Sequence, residues 1–162
     1  MTRNAARLSQ AHVAFIESGG TIYVASRDGA LRATVAYGLG CQVAPQGDRV
    51  AIYLAASWCG ALLASIHETG TIAVCFSEPR SHRTLQLKGN DAVARELAAE
   101  ERAKLPACLA RLVQKLCDAG VPEDLVRAVI SYDPADLVAV TFSPMAAFSQ
   151  TPGPQAGSRL NI

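Results

Sequence analysis

From residue 21 to residue 89 the chain is written as short alternating runs closed by turn residues, with one helical segment among them. That pattern constrains the fold more than any motif does. TIYVASR joins β-branched and aromatic residues and ends at the turn pair Asp28-Gly29. LRATVAYGLGCQVA continues as one extended strand. Its glycines at 38 and 40 mark the bulge or close backbone approach that a strongly curved barrel strand needs. After the turn PQGD, RVAIYLA alternates, with Val50, Ile52 and Leu54 on one face and Ala51, Tyr53 and Ala55 on the other. SWCGALLASIHETG then changes period. Ser57 reads as its N-cap, Leu62, Leu63 and Ile66 as its apolar face, and Gly70 as its stop. TIAVCFSEP and HRTLQLKGN return to strand. The first ninety residues thus predict helix, three strands, helix and two strands, the first helix lying in RLSQAHVAFIES. Hairpin turns favour a meander or small barrel over a parallel sheet, and one crossover helix is too few for a doubly wound fold.

Residues 91–131 read as a helical insertion. Leu105, Leu109, Leu112 and Leu116 form one continuous stripe, with a break expected near Lys104 because Pro106 follows it. Pro122 opens a further short helix, PEDLVRAVI, and DLVAVTFSP is a last strand. Residues 151–162 read as an extended tail rich in Pro and Gly, so that residues 1–150 form a single domain of α+β class.

Composition excludes several classes. The 162 residues carry 15 basic and 14 acidic side chains, a net charge of +1, without the clustered cations that nucleic acid or an acidic membrane requires. Arg3 and Arg7 precede no apolar run long enough for a secretion signal or a membrane span, which reads as cytoplasmic. Cys41, Cys59, Cys75, Cys108 and Cys117 are odd in number and widely spaced, and read as buried reduced thiols. His12, His67 and His82 lie in different elements without a ligand neighbour, so no metal site is expected. No nucleophile elbow, P-loop or dinucleotide fingerprint is present, and no catalytic acid or base can be named. The one basic concentration is Arg80-Ser81-His82-Arg83-Thr84 with Gln86 and Lys88. It suits either a phosphate or a solvated turn leading into a polar strand face. Arg27 and Arg32, flanking Asp28-Gly29, form a weaker basic pair.

The segments TIYVASRDGALRATVAYGLGCQV, RVAIYLAASWCGALLASIHETGTIAVCFSEP and HRTLQLKG resemble the flavin-binding split-barrel proteins related to pyridoxamine 5'-phosphate oxidase. The likeness runs on through DLVAVTFSPMAAFSQTPGPQAG. It is most specific in HRTLQLKG and the TPGP tail, which look like a small bacterial branch related to that oxidase. The resemblance implies an α+β split β-barrel with peripheral helices, a homodimer, and an FMN site lined by both subunits. Carried onto this chain, the cofactor-binding positions are Arg32, Ala33 and Thr34 on the second strand, Ser57 and Trp58 at the strand-to-helix turn, and Arg83 and Thr84. The departures are as informative. Thr34 stands where the oxidase has an arginine, SWCGALL replaces its basic turn, and Thr84 replaces a glutamine, so several phosphate-holding cations are missing. Arg27, Arg32, Arg83 or Arg159 could substitute from other directions. Trp58 suits a ring-stacking role or ordinary packing. The implied function is a flavin-binding protein, an oxidoreductase of unknown small-molecule substrate. The alternatives are a cofactor-free dimer with an interaction role and a binder of haem, through His67 or His82, or of a deazaflavin.

Overall fold

The computed structural model describes residues 6–162, which leaves Arg3 of the basic N-terminus outside the described residues. Among the described residues there are ten strands, which form two antiparallel sheets, and four helices. A first helix, α1 (Gln10–Ile16), is capped by the Ser9 side chain, which accepts from the His12 N–H. Next come β1 (Thr21–Arg27), β2 (Ala33–Gly38), β3 (Gly40–Val43) and β4 (Val50–Ala55). After a 3-10 turn, Ala56–Trp58, helix α2 (Gly60–Thr69) ends at Gly70 in the left-handed conformation. Strands β5 (Ile72–Ser77), β6 (Thr84–Gly89) and β7 (Val93–Glu96) precede α3 (Ala99–Asp118) and α4 (Glu123–Val129). A second 3-10 turn, Pro134–Asp136, leads into β8 (Leu137–Phe142), β9 (Ala146–Ser149) and β10 (Arg159–Leu160).

The six-stranded sheet runs β10-β9-β6-β5-β1-β2 and the four-stranded sheet β3-β4-β8-β7. The long second strand of the sequence reading is therefore two strands in different sheets. The switch falls at Leu39, between the two glycines. A Cβ on Gly38 would come within 2.8 Å of the Ile22 side chain, and one on Gly40 within 3.1 Å of Cys108 Cβ. Glycine at both positions lets the chain turn this corner without displacing either neighbour.

Two cores result. Ile22, Val24, Val50, Ile52, Leu54, Val74, Leu85, Leu87, Val140 and Phe142 fill the space between the sheets, closed at one end by Leu62 and Ile66 of α2. On the other side of the four-stranded sheet, Ala51, Tyr53, Ala55 and Ala139 pack under Leu105, Leu112 and Val113 of α3 and Val126 of α4. β4 is buried at all six positions. The alternation expected for β4 and β8 thus separates two cores, not a core from solvent.

Helix α3 runs unbroken through Pro106, where a break is expected from sequence. Pro106 and Arg102 both lie on the exposed side of the helix, where a carbonyl without its helical donor costs least, while Leu105 and Leu112 anchor the helix as buried residues. Residues 93–96, expected to be helical, instead add β7 to the four-stranded sheet, with Ala94 opposite Val140. Here pairing overrides local propensity. The C-terminal run turns back on itself, with Arg159 opposite Phe148 and Leu160 opposite Ala147.

The start of α3 is fixed by one carboxylate. Glu101 is buried, accepts from the Ala98 N–H at 2.8 Å, and receives both Arg95 nitrogens at 2.6 Å. The Arg95 hydrogen bonds hold its carboxyl below the usual range, against the opposing effect of burial. The folded pKa is lowered, so this contribution is complete above the unfolded carboxylate value and is lost as pH falls through the folded one. Urea midpoints should therefore decline as pH is taken from about 5 to about 3. Glu101→Gln should lower stability at neutral pH by about 1–2 kcal/mol, a figure discounted because the Arg95 side chain is 40% exposed, and should flatten the acid decline.

Candidate functional site

Two surfaces frame the region that the sequence singles out. The first is the outer face of the six-stranded sheet. Strand register lines up Tyr37, Tyr23, Cys75, Gln86 and Phe148 in one row across five strands. Val35, Ala25, Ala73, Lys88 and Ala146 form the next row. Tyr23 is 49% and Val35 67% exposed. The Tyr23 and Tyr37 rings meet edge to face at 5.3 Å, and burial pushes the Tyr37 phenol up to about 12. The middle of this face is flat, because Ala25 and Ala73 stand side by side.

The second surface is the turn from β4 into α2. Ser57, expected to cap the helix, does not do so: the N-cap is Cys59, without a side-chain hydrogen bond. Ser57 is bonded to Asp136 instead. Its N–H donates to the two Asp136 carboxylate oxygens at 3.2 and 3.0 Å, and its hydroxyl donates to Oδ2. Register explains the meeting. Ala55 of β4 faces Leu137 of β8, which sets Asp136 beside the turn, although the partners are 79 residues apart in sequence. Trp58 projects outward, 45% exposed. Cys59 is buried, and its thiol is pushed up to about 11 by burial and then by the Asp136 charge, although a helix N-terminus alone would lower it.

The other sequence-selected positions lie elsewhere. Ala33 faces outward on the sheet and pairs with Arg27. Thr34 points the other way, its Oγ1 within 3.5 Å of Ser65 Oγ on α2 and of the Ser26 carbonyl. Arg32 is held by Asp28 at 2.8 Å, its side chain 82% exposed. Arg83 lies with its guanidinium carbon 4.5 Å from the Phe15 ring centroid of α1. Thr84 bonds with Ser77 at 2.9 Å and its N–H donates to Thr151. The last two sit by Ser77, opposite Thr21 at one end of β1, whereas Arg32 lies beyond Arg27 at the other. At about 3.3 Å per residue that separates them by roughly 20 Å within one chain. Ser57 and Trp58 share the turn, and within one chain Arg32 is not brought together with Arg83 and Thr84.

Sequence reasoning missed Asp136 and Arg102. Arg102 of α3 donates to the Pro134 carbonyl at 2.8 Å and so braces the turn that carries Asp136. Neither residue belongs to a motif, and no local signal could have found them. Both histidines considered as axial ligands lie off the open sheet face. His67 stands at the exposed C-terminal turn of α2 beside a cavity of about 530 Å³, and His82 is in an exposed turn at φ +57°. Among the described residues no group of three His, Cys, Asp or Glu side chains could hold a metal ion.

Three of the groups that the resemblance places near a phosphate are engaged within the chain: Ser57 serves a carboxylate, Arg32 pairs with Asp28 at the surface, and Arg83 rests on Phe15. A planar ring meets no such objection at the open sheet face or beside Trp58.

No protein-family model and no curated protein matches the chain. Among solved structures, HupZ of Group A Streptococcus superposes with a TM-score of 0.56 at 14% identity, covering 93% of this chain and 100% of its own. A candidate pyridoxamine 5'-phosphate oxidase from Lactobacillus delbrueckii gives 0.54 at 12% identity, over 90% of this chain and 96% of that one. The haem storage protein HutZ of Vibrio cholerae gives 0.50 at 12% identity, over 88% and 94%. The fold is thus the split β-barrel of pyridoxamine 5'-phosphate oxidase-like proteins, as the resemblance implied. No helix among the described residues is long and apolar enough to cross a membrane.

The geometry at Cys59 makes a direct prediction. Iodoacetamide applied to native protein at mildly alkaline pH should leave Cys59 unmodified over a time in which denatured protein is fully labelled, as read by peptide mass spectrometry.

Proposed function

We propose that the chain works as a homodimer formed across the open face of its six-stranded sheet, and that the cleft at the edge of that interface holds a planar ring of flavin type. The observation that carries the proposal is the row Tyr37-Tyr23-Cys75-Gln86-Phe148, with the alanine row beside it. It is an aromatic and small-residue surface on a sheet whose other face is fully packed. A symmetric partner would cover this face and bring its own Arg83 and Thr84 ends toward the cleft, as the resemblance implies. The flavin-type ring would supply hydride and electron transfer, and the chain would supply orientation and exclusion of water. The activity that follows is an oxidoreductase of unknown small-molecule substrate. No acid or base of this chain is assigned to it.

One rival has an observation of its own. The groups expected to hold phosphate are already satisfied internally, which favours a cofactor-free dimer with an interaction role. The HutZ likeness raises haem, and the positions of His67 and His82 away from the sheet face speak against either as its axial ligand.

Absorbance and sedimentation separate these readings. Under the leading reading, purified protein mixed with excess riboflavin or FMN and desalted retains bands near about 370 and 450 nm, as bound flavins do. A Soret band would select haem, and a flat spectrum after every incubation the cofactor-free dimer. Ala73→Glu, placing a charge at the centre of the open face, should convert a dimeric mass to a monomeric one while leaving the circular dichroism unchanged. A wild-type chain that sediments as a monomer would remove the proposed cleft.

A further inference from the structure

Strand register sets two rows of side chains on the face of the four-stranded sheet where α3 packs. Gly40, Tyr53, Ala139 and Arg95 form one row. Leu105 of α3 shares a core with Tyr53 and Ala139, and Glu101 ties the first turn of the helix to Arg95. Gln42, Ala51 and Thr141 form the neighbouring row. A cavity of about 470 Å³ lies over it, walled by Ala44, Pro45 and Arg49 of the β3–β4 hairpin and by Ala98 ahead of α3. That volume is in the range of small-molecule pockets.

The polar groups of this cavity are unevenly used. Both carboxylates in its lining already hold a cation, Glu101 with Arg95 and Glu100 with Lys104. Gln42 Oε1 accepts from the buried Tyr53 hydroxyl at 3.2 Å, which leaves the Gln42 Nε2 donors without an acceptor among the described residues. Arg49 has no carboxylate partner among the described residues, and alternation along the strand sets it on the same face as Ala51. The lining thus has one uncompensated cation and donors in excess, beside alanine and proline walls. Thr141 stands two strands from Gln42 across Ala51, a separation of roughly 10 Å, about the length of an aromatic ring on a short chain.

We propose that this cavity binds a small organic acid, with its carboxylate on Arg49 and Gln42 and its apolar body across Ala51 toward Thr141. The carboxylate supplies the acceptors that these donors lack, and the apolar walls favour an organic acid over an inorganic anion. The site belongs to the four-stranded sheet and is independent of the planar-ring reading of the open face.

The test follows backbone amides by NMR as full-length protein is titrated with 3-phenylpropionate, its neutral amide or inorganic phosphate, each to about 10 mM. The acid should shift the Gln42, Ala44 and Thr141 signals and bind at least about tenfold more tightly than the amide. Arg49→Gln, at an exposed hairpin position, should bring acid and amide within about twofold of each other. Thr141→Phe, which fills the far end of the cavity, should abolish the shifts caused by both. The proposal is overturned by wild-type signals that stay fixed, by equal affinity for acid and amide, or by an unchanged ratio in Arg49→Gln. Acid binding retained in folded Thr141→Phe overturns it too, as does phosphate that moves the same signals as tightly as the acid.

Discussion

β4 is the strand on which both halves of the molecule rest. Val50, Ile52 and Leu54 enter the barrel, while Ala51, Tyr53 and Ala55 receive α3 and α4. A strand buried on both faces has no solvent side to absorb an error, so a slip of one residue would exchange two packed cores at once. Its pairing with β8 is fixed for the same reason, since Val140 and Phe142 must face inward while Leu137 and Ala139 face the helices. That register brings residues 79 positions apart to one turn and seats Asp136 on Ser57. The electrostatic character of the turn is a by-product of core packing.

The two sheets end up with unequal surfaces. The helical insertion covers the outer side of the four-stranded sheet, where Tyr53 is buried and its hydroxyl donates to Gln42 at 3.2 Å. Lys115 ties the far end of α3 to Ser18 at 3.0 Å and to Glu78, closing the helix against the barrel. Among the described residues the six-stranded sheet receives no comparable layer on its outer face, and Tyr23 and Val35 are exposed. The α+β architecture thus leaves one sheet covered and the other open.

The chemistry available to the chain is correspondingly narrow. Burial raises the Cys41 and Cys59 thiols, and at Cys41 the opposing pull of Arg111 is the weakest of the influences. Histidines and carboxylates are dispersed or engaged in structural pairs. Ser57, Arg32 and Arg83 are engaged by Asp136, Asp28 and Phe15.

Local periodicity was sufficient for most elements. The hairpin at Asp28-Gly29, the alternation of β4 and β8, the helix ending at Gly70 and the leucine stripe of α3 are all legible, because each depends on side chains a few positions apart. The corner at Leu39, the strand at residues 93–96 and the continuity of α3 through Pro106 were not, because partners elsewhere in the chain decide them. The same division holds at the site. Sequence alone marked Ser57 and Trp58 as the turn and showed that basic residues were missing from it. Only the tertiary structure decided that the carboxylate of a distant turn bonds Ser57, since an antiparallel register, and no feature of either segment, brings Asp136 there.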